Sequence, residues 1–361
     1  MPVRAALRAT APSVLLTVLL AAGCAPGDGS GGSGTAPEPP GVRPQQLPVT
    51  FESGPDTLHG TFALPPGGGT DLPAALIVSG SGPTDRDGDN PARPDAGTNE
   101  NFARVLADSG VASLRYDKLG SGKTGMAARD DDATVGYDVF AEEFADAYAH
   151  LADRPEVDPS RLMVVGHSEG ALFALNAHTI VDAHPPRALV LAAPPGRRYL
   201  DTVDRQITEQ VRQAEAAGSM DFGRAEETLS DLRYGIARIR DGEDLDGLHL
   251  ASEVNRILAP EFVPFLRRID TMDPVELARD LPPQTAALVL RGTEDSQITA
   301  AAVDRLMTGL PGARRVDLDG ADHVFRMYSD APGAAVLDAD RRFSPDVQPA
   351  LDRFLESQAD L

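Results

Sequence analysis

Cysteine is almost missing from this chain. Cys24 is the only one among 361 residues, so no intrachain disulfide can form. Basic residues are also scarce: 33 Lys and Arg stand against 55 Asp and Glu, a formal charge of −22. A surface of that sign repels phosphate, which argues against nucleic acid as a partner. Internal repeats are lacking, and so is any apolar run long enough to span a bilayer comfortably. What is present in ordinary amount is apolar content, 42%, enough for a sizeable core.

The lone cysteine is explained by its position. Arg4 and Arg8 make a positive start, Val14 to Leu20 a short apolar run, and Ala21-Ala22-Gly23-Cys24 reads as a bacterial lipobox. Residues 1–24 are therefore expected to be a lipoprotein signal peptide. A diacylglyceryl thioether on Cys24 would anchor the protein to the outer face of the bacterial cell membrane. Residues 25–46 are rich in Gly, Ser, Pro and Thr and read as a flexible linker.

Beyond the linker, strand and helix patterns alternate. Pro48–Phe51 and Thr57–Leu64 read as a hairpin, and Ala74–Val78, Val111–Arg115, Arg161–Val165 and Ala188–Ala192 as buried strands. Helical spacing fills Phe102–Ala107 and Tyr137–Leu151. From Arg197 to Leu281 only helical patterns occur, clearest at Asp201–Ala217, Gly223–Asp241 and Ala251–Ile257. Strand returns at Ala286–Gly292 and Arg315–Leu318, with helices at Ala300–Leu310 and Asp346–Gln358. The alternation implies a doubly wound, mostly parallel α/β sheet. A helical cap, residues 197–281, is inserted between two late strands and divides the core into residues 47–196 and 282–361. Its apolar residues Ile207, Val211, Leu229, Leu232, Ile236, Ile239, Leu258, Phe262, Phe265 and Leu266 suggest an apolar acyl pocket.

The chemistry centres on Gly166-His167-Ser168-Glu169-Gly170, between a strand and a small-residue helix. That context makes G-x-S-x-G a nucleophile elbow, with the serine on a strained turn and the helix N-terminus behind it. A serine hydroxyl needs a histidine to take its proton and an acid to orient that histidine, in the chain order Ser, acid, His. Asp295, after the strand at 286–292, fits the acid, with Glu294 as a one-residue alternative. Of the seven histidines only His323 lies in a loop after the acid and before the last helix. The oxyanion needs two backbone N–H donors, for which Glu169 and Ser81 are in place; Ser81 belongs to the Gly-rich loop after Val78.

Two other motifs fail on spacing. Asp85-Arg86-Asp87-Gly88-Asp89-Asn90 resembles a calcium loop, yet Asn90 stands where glycine is needed and Ala96 where a bidentate glutamate is needed. Its expected role is an ion-pair brace for the oxyanion loop. Gly120-Ser121-Gly122-Lys123-Thr124 resembles a phosphate-loop ending, but its first glycine would fall at Asp117. No metal site and no organic cofactor are implied.

Ser81-Gly82-Pro83-Thr84-Asp85-Arg86-Asp87-Gly88, Arg115-Tyr116-Asp117-Lys118-Leu119-Gly120-Ser121-Gly122, Gly166–Gly170, Gly292 with Asp295, and Asp322-His323 occur in that order. Together they resemble the α/β-hydrolase superfamily, in particular a bacterial branch of secreted, serine aminopeptidase-like esterases. Ser79-Gly80 replaces the His-Gly common in that branch, and Ala171 replaces a second glycine. The resemblance implies a serine hydrolase of carboxylic esters acting through an acyl-enzyme on small ester or amide substrates. The alternatives are an aminopeptidase or amidase, an acyltransferase with the same triad, or a non-catalytic surface-binding lipoprotein. For an aminopeptidase, Glu209, Glu226 or Asp231 would have to hold the substrate amine.

Overall fold

Asp, Gly and Pro break the first apolar alternation and turn it into a hairpin. In the computed structural model, which describes residues 44–130, 133–331 and 333–358, β1 (Gln45–Ser53) and β2 (Asp56–Leu64) pair antiparallel across Gly54 and Pro55. The signal peptide, Cys24 and nearly all of the expected linker lie outside the described residues. The chain continues through β3 (Leu72–Val78), α1 (Thr98–Asp108), β4 (Ala112–Asp117), α2 (Tyr137–Ala152), β5 (Val157–His167), α3 (Gly170–Ile180) and β6 (Ala188–Ala192). After the cap come β7 (Ala286–Gly292), α9 (Ala300–Met307), β8 (Arg314–Leu318) and α10 (Val347–Glu356).

The eight strands form one sheet in the order β1-β2-β4-β3-β5-β6-β7-β8. Only β2 runs against the others. β3, β6 and the Leu162–Val165 part of β5 are apolar runs because helices cover both faces of the sheet. The chain leaves β3 toward β4 on one side and returns to β5 on the other. That reversal opens a crevice at the carboxyl ends of β3 and β5, where ligands bind in open α/β sheets.

Between β6 and β7 lie α4 (Tyr199–Ala216), α5 (Phe222–Arg240), α6 (Ser252–Ile257), α7 (Val263–Asp270) and α8 (Pro274–Arg279). α4 packs along α5, and both pack on α7, whereas α8 packs on α3 and α9. Buried Asp270 ties the entry to the exit. Its carboxylate takes Arg198 at 2.7 Å, Arg240 at 2.9 Å and the Leu200 N–H at 2.8 Å. The apolar residues expected to line an acyl pocket serve the cap instead. Leu229, Leu232, Ile239, Leu258 and Leu266 are buried in its core, and none of the ten lines the cavity at Ser168. A helix must first bury its own apolar stripe, and here that uses most of the set.

Candidate active site

β5 delivers His167 and α3 begins at Gly170, so the chain reverses direction within two residues. Ser168 makes that reversal at φ 52°, a strained setting for a side chain with a β-carbon. The strain is held by neighbours. The Ser168 N–H donates to the Ala192 carbonyl at 2.8 Å. A β-carbon at Gly166 would run into the Gly170 carbonyl, and one at Gly170 into the Val78 carbonyl. Both glycines are required by close approach, as the elbow reading expects.

The acid and the histidine meet beyond β7 and β8. His323 Nδ1 and Asp295 Oδ2 are 2.9 Å apart, both residues buried. The second Asp295 oxygen accepts the backbone N–H groups of Gln297 at 2.7 Å and Ile298 at 2.8 Å. Burial alone would raise this carboxyl. The facing His323 and those N–H groups outweigh it and hold the carboxyl below the usual carboxylate range. Glu294, the one-residue alternative, is exposed and makes no part of this arrangement.

His167 packs between the two halves of the site. Its ring centroid lies 4.9 Å from that of His323, and its Nε2 is 2.9 Å from the His323 carbonyl oxygen. A carbonyl only accepts, so Nε2 carries the proton. Burial, then the neighbouring His323, pushes the His167 pKa down to about 3, and the ring is neutral.

The loop after β3 closes the site from the other side. A β-carbon at Gly80 would stand 3.3 Å from the Ser168 β-carbon. Lys118 Nζ, at the end of β4, donates to the Gly80 carbonyl at 2.6 Å and pairs with Glu169 at 3.3 Å. The Gly80 carbonyl and the Ser81 N–H share one trans peptide plane, so anchoring the first turns the second to the opposite side. The Ser79 hydroxyl donates to the Asp85 carbonyl and accepts from Asn99, each at 2.9 Å. The loop that follows is braced by ion pairs. Arg86 pairs with Asp117 at 2.7 Å and Arg115 with Asp87 at 2.8 Å, while the Asp85 carboxylate takes three backbone N–H groups of its own turn.

A cavity of about 20 Å³ adjoins the serine, with Ser81, Ser168, Glu169, Tyr199, Thr202 and Gln206 among its lining residues. The Tyr199 hydroxyl donates to Glu169 at 2.8 Å. Burial, then Glu169, raises the Tyr199 phenol well above its ordinary value, so it remains a donor.

His167 and Lys118 stood in the sequence motifs without a role of their own, and Tyr199 and Gln206 were not noted there. Lys118 left a trace, since it directly follows β4, which neighbours the strand leading to the Gly80–Gly82 loop. Tyr199 and Gln206 left none, because a cap residue reaches the site only through tertiary packing.

A family model described as Alpha/beta hydrolase family matches residues 94–339, more than half of the chain. The protein belongs to that family and is a hydrolase. A thiohydrolase of Arthrinium phaeospermum is 26% identical over 234 residues, covering 60% of this chain and 73% of that protein. Esterase EstD of Thermotoga maritima is 29% identical over 166 residues, 44% of this chain and 36% of its own. Among solved structures, an esterase of Pyrococcus furiosus shares the fold at TM-score 0.51 and 16% identity, covering 87% of this chain and 91% of that one.

Proposed function

We propose that this hydrolase cleaves carboxylic esters through an acyl-enzyme on Ser168. In this reading Ser168 Oγ attacks the ester carbonyl while His323 takes its proton. The N–H groups of Glu169 and Ser81 hold the oxyanion. His323 returns the proton to the leaving alcohol, and water, deprotonated by the same imidazole, releases the acid. Asp295 keeps the proton on Nδ1, which leaves Nε2 free to accept. The observation that carries the reading is the buried 2.9 Å Asp295–His323 pair, joined through His167 to a serine on a strained elbow.

Among the described residues, the three carboxylates that an aminopeptidase would need for its amine site are engaged elsewhere. Glu226 pairs with Arg212, Asp231 accepts the Ala251 N–H, Glu209 accepts from Gln213, and none of the three lines the cavity. Glu169 does line it, but Lys118 already balances that charge. The thiohydrolase relative makes thioesters worth including, since the same steps cleave them. In this reading lipid on Cys24, expected from the lipobox, would hold the enzyme at the outer face of the bacterial cell membrane.

The test labels the purified protein and its Ser168→Ala variant with a fluorophosphonate, then assays p-nitrophenyl esters of short and long acyl chains. Only the wild type should label, and the variant should lose roughly a thousandfold or more of the rate. Absence of labelling and turnover in both would leave the non-catalytic lipoprotein as the better reading.

A further inference from the structure

We propose that Arg93 is a positioning residue for the candidate base: through Asp322 it fixes the turn that presents His323. The proposal rests on the ester-hydrolase reading and adds to it a residue outside the triad. His323 sits in a turn closed by the residue before it. The Asp322 N–H donates to the Arg326 carbonyl at 2.9 Å, and Asp322 Oδ1 accepts the N–H groups of Val324 at 3.1 Å and Arg326 at 3.0 Å. The direction of this carboxylate therefore sets the backbone on both sides of His323. Its other oxygen is held twice. Oδ2 accepts from Arg93 Nη2 and from Arg341 Nη2, each at 2.8 Å.

Both arginines also meet a second carboxylate. Arg93 forks onto Asp338, from Nε at 2.7 Å and from Nη2 at 2.6 Å, and Arg341 pairs with Asp338 as well. Two guanidinium groups and two carboxylates close a ring, in which Asp322, Asp338 and Arg341 are buried. Taking one arginine out of such a ring leaves a buried carboxylate underpaired. Arg93 reaches the ring from the opposite side of the site. Its turn is closed by paired backbone bonds with Asn90, at 2.9 and 3.2 Å, and it continues the loop that follows Ser81. The acidic stretch whose spacing excludes calcium thus presents an arginine to the loop of the base. Arg326 adds a second tie, from Nε to the Ala96 carbonyl at 2.9 Å. A misdirected imidazole fails at two steps. It takes the serine proton less well, and it returns that proton to the leaving group less well. The second failure matters for an alkoxide, which needs the proton, and not for p-nitrophenolate, which leaves without it. A displaced oxyanion loop or a general loss of structure slows both kinds of ester alike.

The leaving group supplies the test. Arg93→Met keeps the stem and removes the fork, whereas Arg93→Lys keeps the charge but cannot span both carboxylates. For the wild type and both variants, kcat/KM is measured with the ethyl and the p-nitrophenyl ester of the acyl group that the wild type prefers. Thermal unfolding confirms that each variant is folded. In Arg93→Met the p-nitrophenyl ester should lose about tenfold and the ethyl ester about a hundredfold, so that their ratio falls about tenfold. Arg93→Lys should lie between. An unchanged ratio, whether or not both rates fall, overturns the positioning of the base by Arg93 and leaves ester hydrolysis standing. No turnover of any ester by the wild type, with Ser168 unlabelled by fluorophosphonate, overturns both. Should Arg93→Met not fold, Asp338→Asn, which loosens Arg93 without emptying the ring, decides on the same criterion.

Discussion

His167 donates from Nε2 to the backbone carbonyl of His323 across 2.9 Å. The residue before the candidate nucleophile therefore holds the loop that carries the candidate base. His167→Phe keeps the ring but removes the donor, and we expect kcat to fall about tenfold to a hundredfold, with KM changing less. His167→Gln, which retains an N–H donor, should recover part of the loss. Steady-state kinetics of the two variants check this. Equal rates in the wild type and His167→Phe would remove the positioning role.

The same ring has a pH signature. Folding pushes the His167 pKa down to about 3, whereas an unfolded chain takes a proton near 6.5. Below about pH 6.5 the unfolded state binds the extra proton, so stability is lost as pH falls toward 3. In His167→Phe this acid-linked loss, on the order of a few kcal/mol, should vanish. Urea unfolding of both proteins at pH 7 and pH 4.5 reads the difference. An identical pH dependence would mean that the imidazole is not held neutral.

Asp295→Asn isolates the carboxylate. The Oδ1 position is fixed by two backbone donors, from Gln297 and Ile298, so an asparagine must place its oxygen there. Its NH₂ then faces His323 Nδ1, which must become an acceptor, and the proton moves to Nε2. The base is blocked by the wrong tautomer, and kcat should drop on the order of 10⁴-fold. Glu294→Gln, at the exposed neighbour, should leave the rate within twofold or so of wild type. A reversed pair of outcomes would reassign the acid.

The residues fixed by local chemistry were legible in the sequence. A strand, a turn of two glycines and a helix announce Ser168, and chain order then selects Asp295 and His323. The hairpin and every strand were legible as well, with ends displaced by a few residues where pairing extends them, as at Gln45–Leu47. The cap was legible as helical but not in its parts. α7 and α8 are short and begin beside prolines, so their periodicity is too brief to read. The apolar cap residues could be read either way in the sequence, because a cap core and an acyl pocket call for the same side chains. Lys118 and Tyr199 acquire meaning only when α4 and β4 are brought over the elbow.

Lys118 holds the Gly80 carbonyl, and through that peptide the direction of the Ser81 N–H. Lys118→Met keeps the stem and removes the ammonium. The Ser81 peptide is then free to turn, and one of the two proposed oxyanion donors is lost part of the time. We expect kcat to fall about tenfold to a thousandfold, with a smaller change in KM. Lys118→Arg should fall between the two. A change confined to KM would assign Lys118 to substrate binding.

Glu143, on α2, is 1% exposed and lies beneath the Lys118–Leu119 turn, where it accepts the Leu119 N–H at 3.0 Å. Burial pushes its pKa up to about 8, against the partial relief given by that N–H and by Lys118. The folded state therefore holds a proton that the unfolded chain releases near pH 4.5. Stability contributed by this carboxyl is highest below that pH and declines as pH rises toward 8. Glu143→Gln retains an acceptor for Leu119 and has no charge to bury. It should match the wild type near pH 4.5 and exceed it by roughly a few kcal/mol at pH 8.5. Thermal unfolding of the two proteins across that range measures the gap. If the gap stays constant with pH, Glu143 is ionised in the fold and the turn is held by its charge instead.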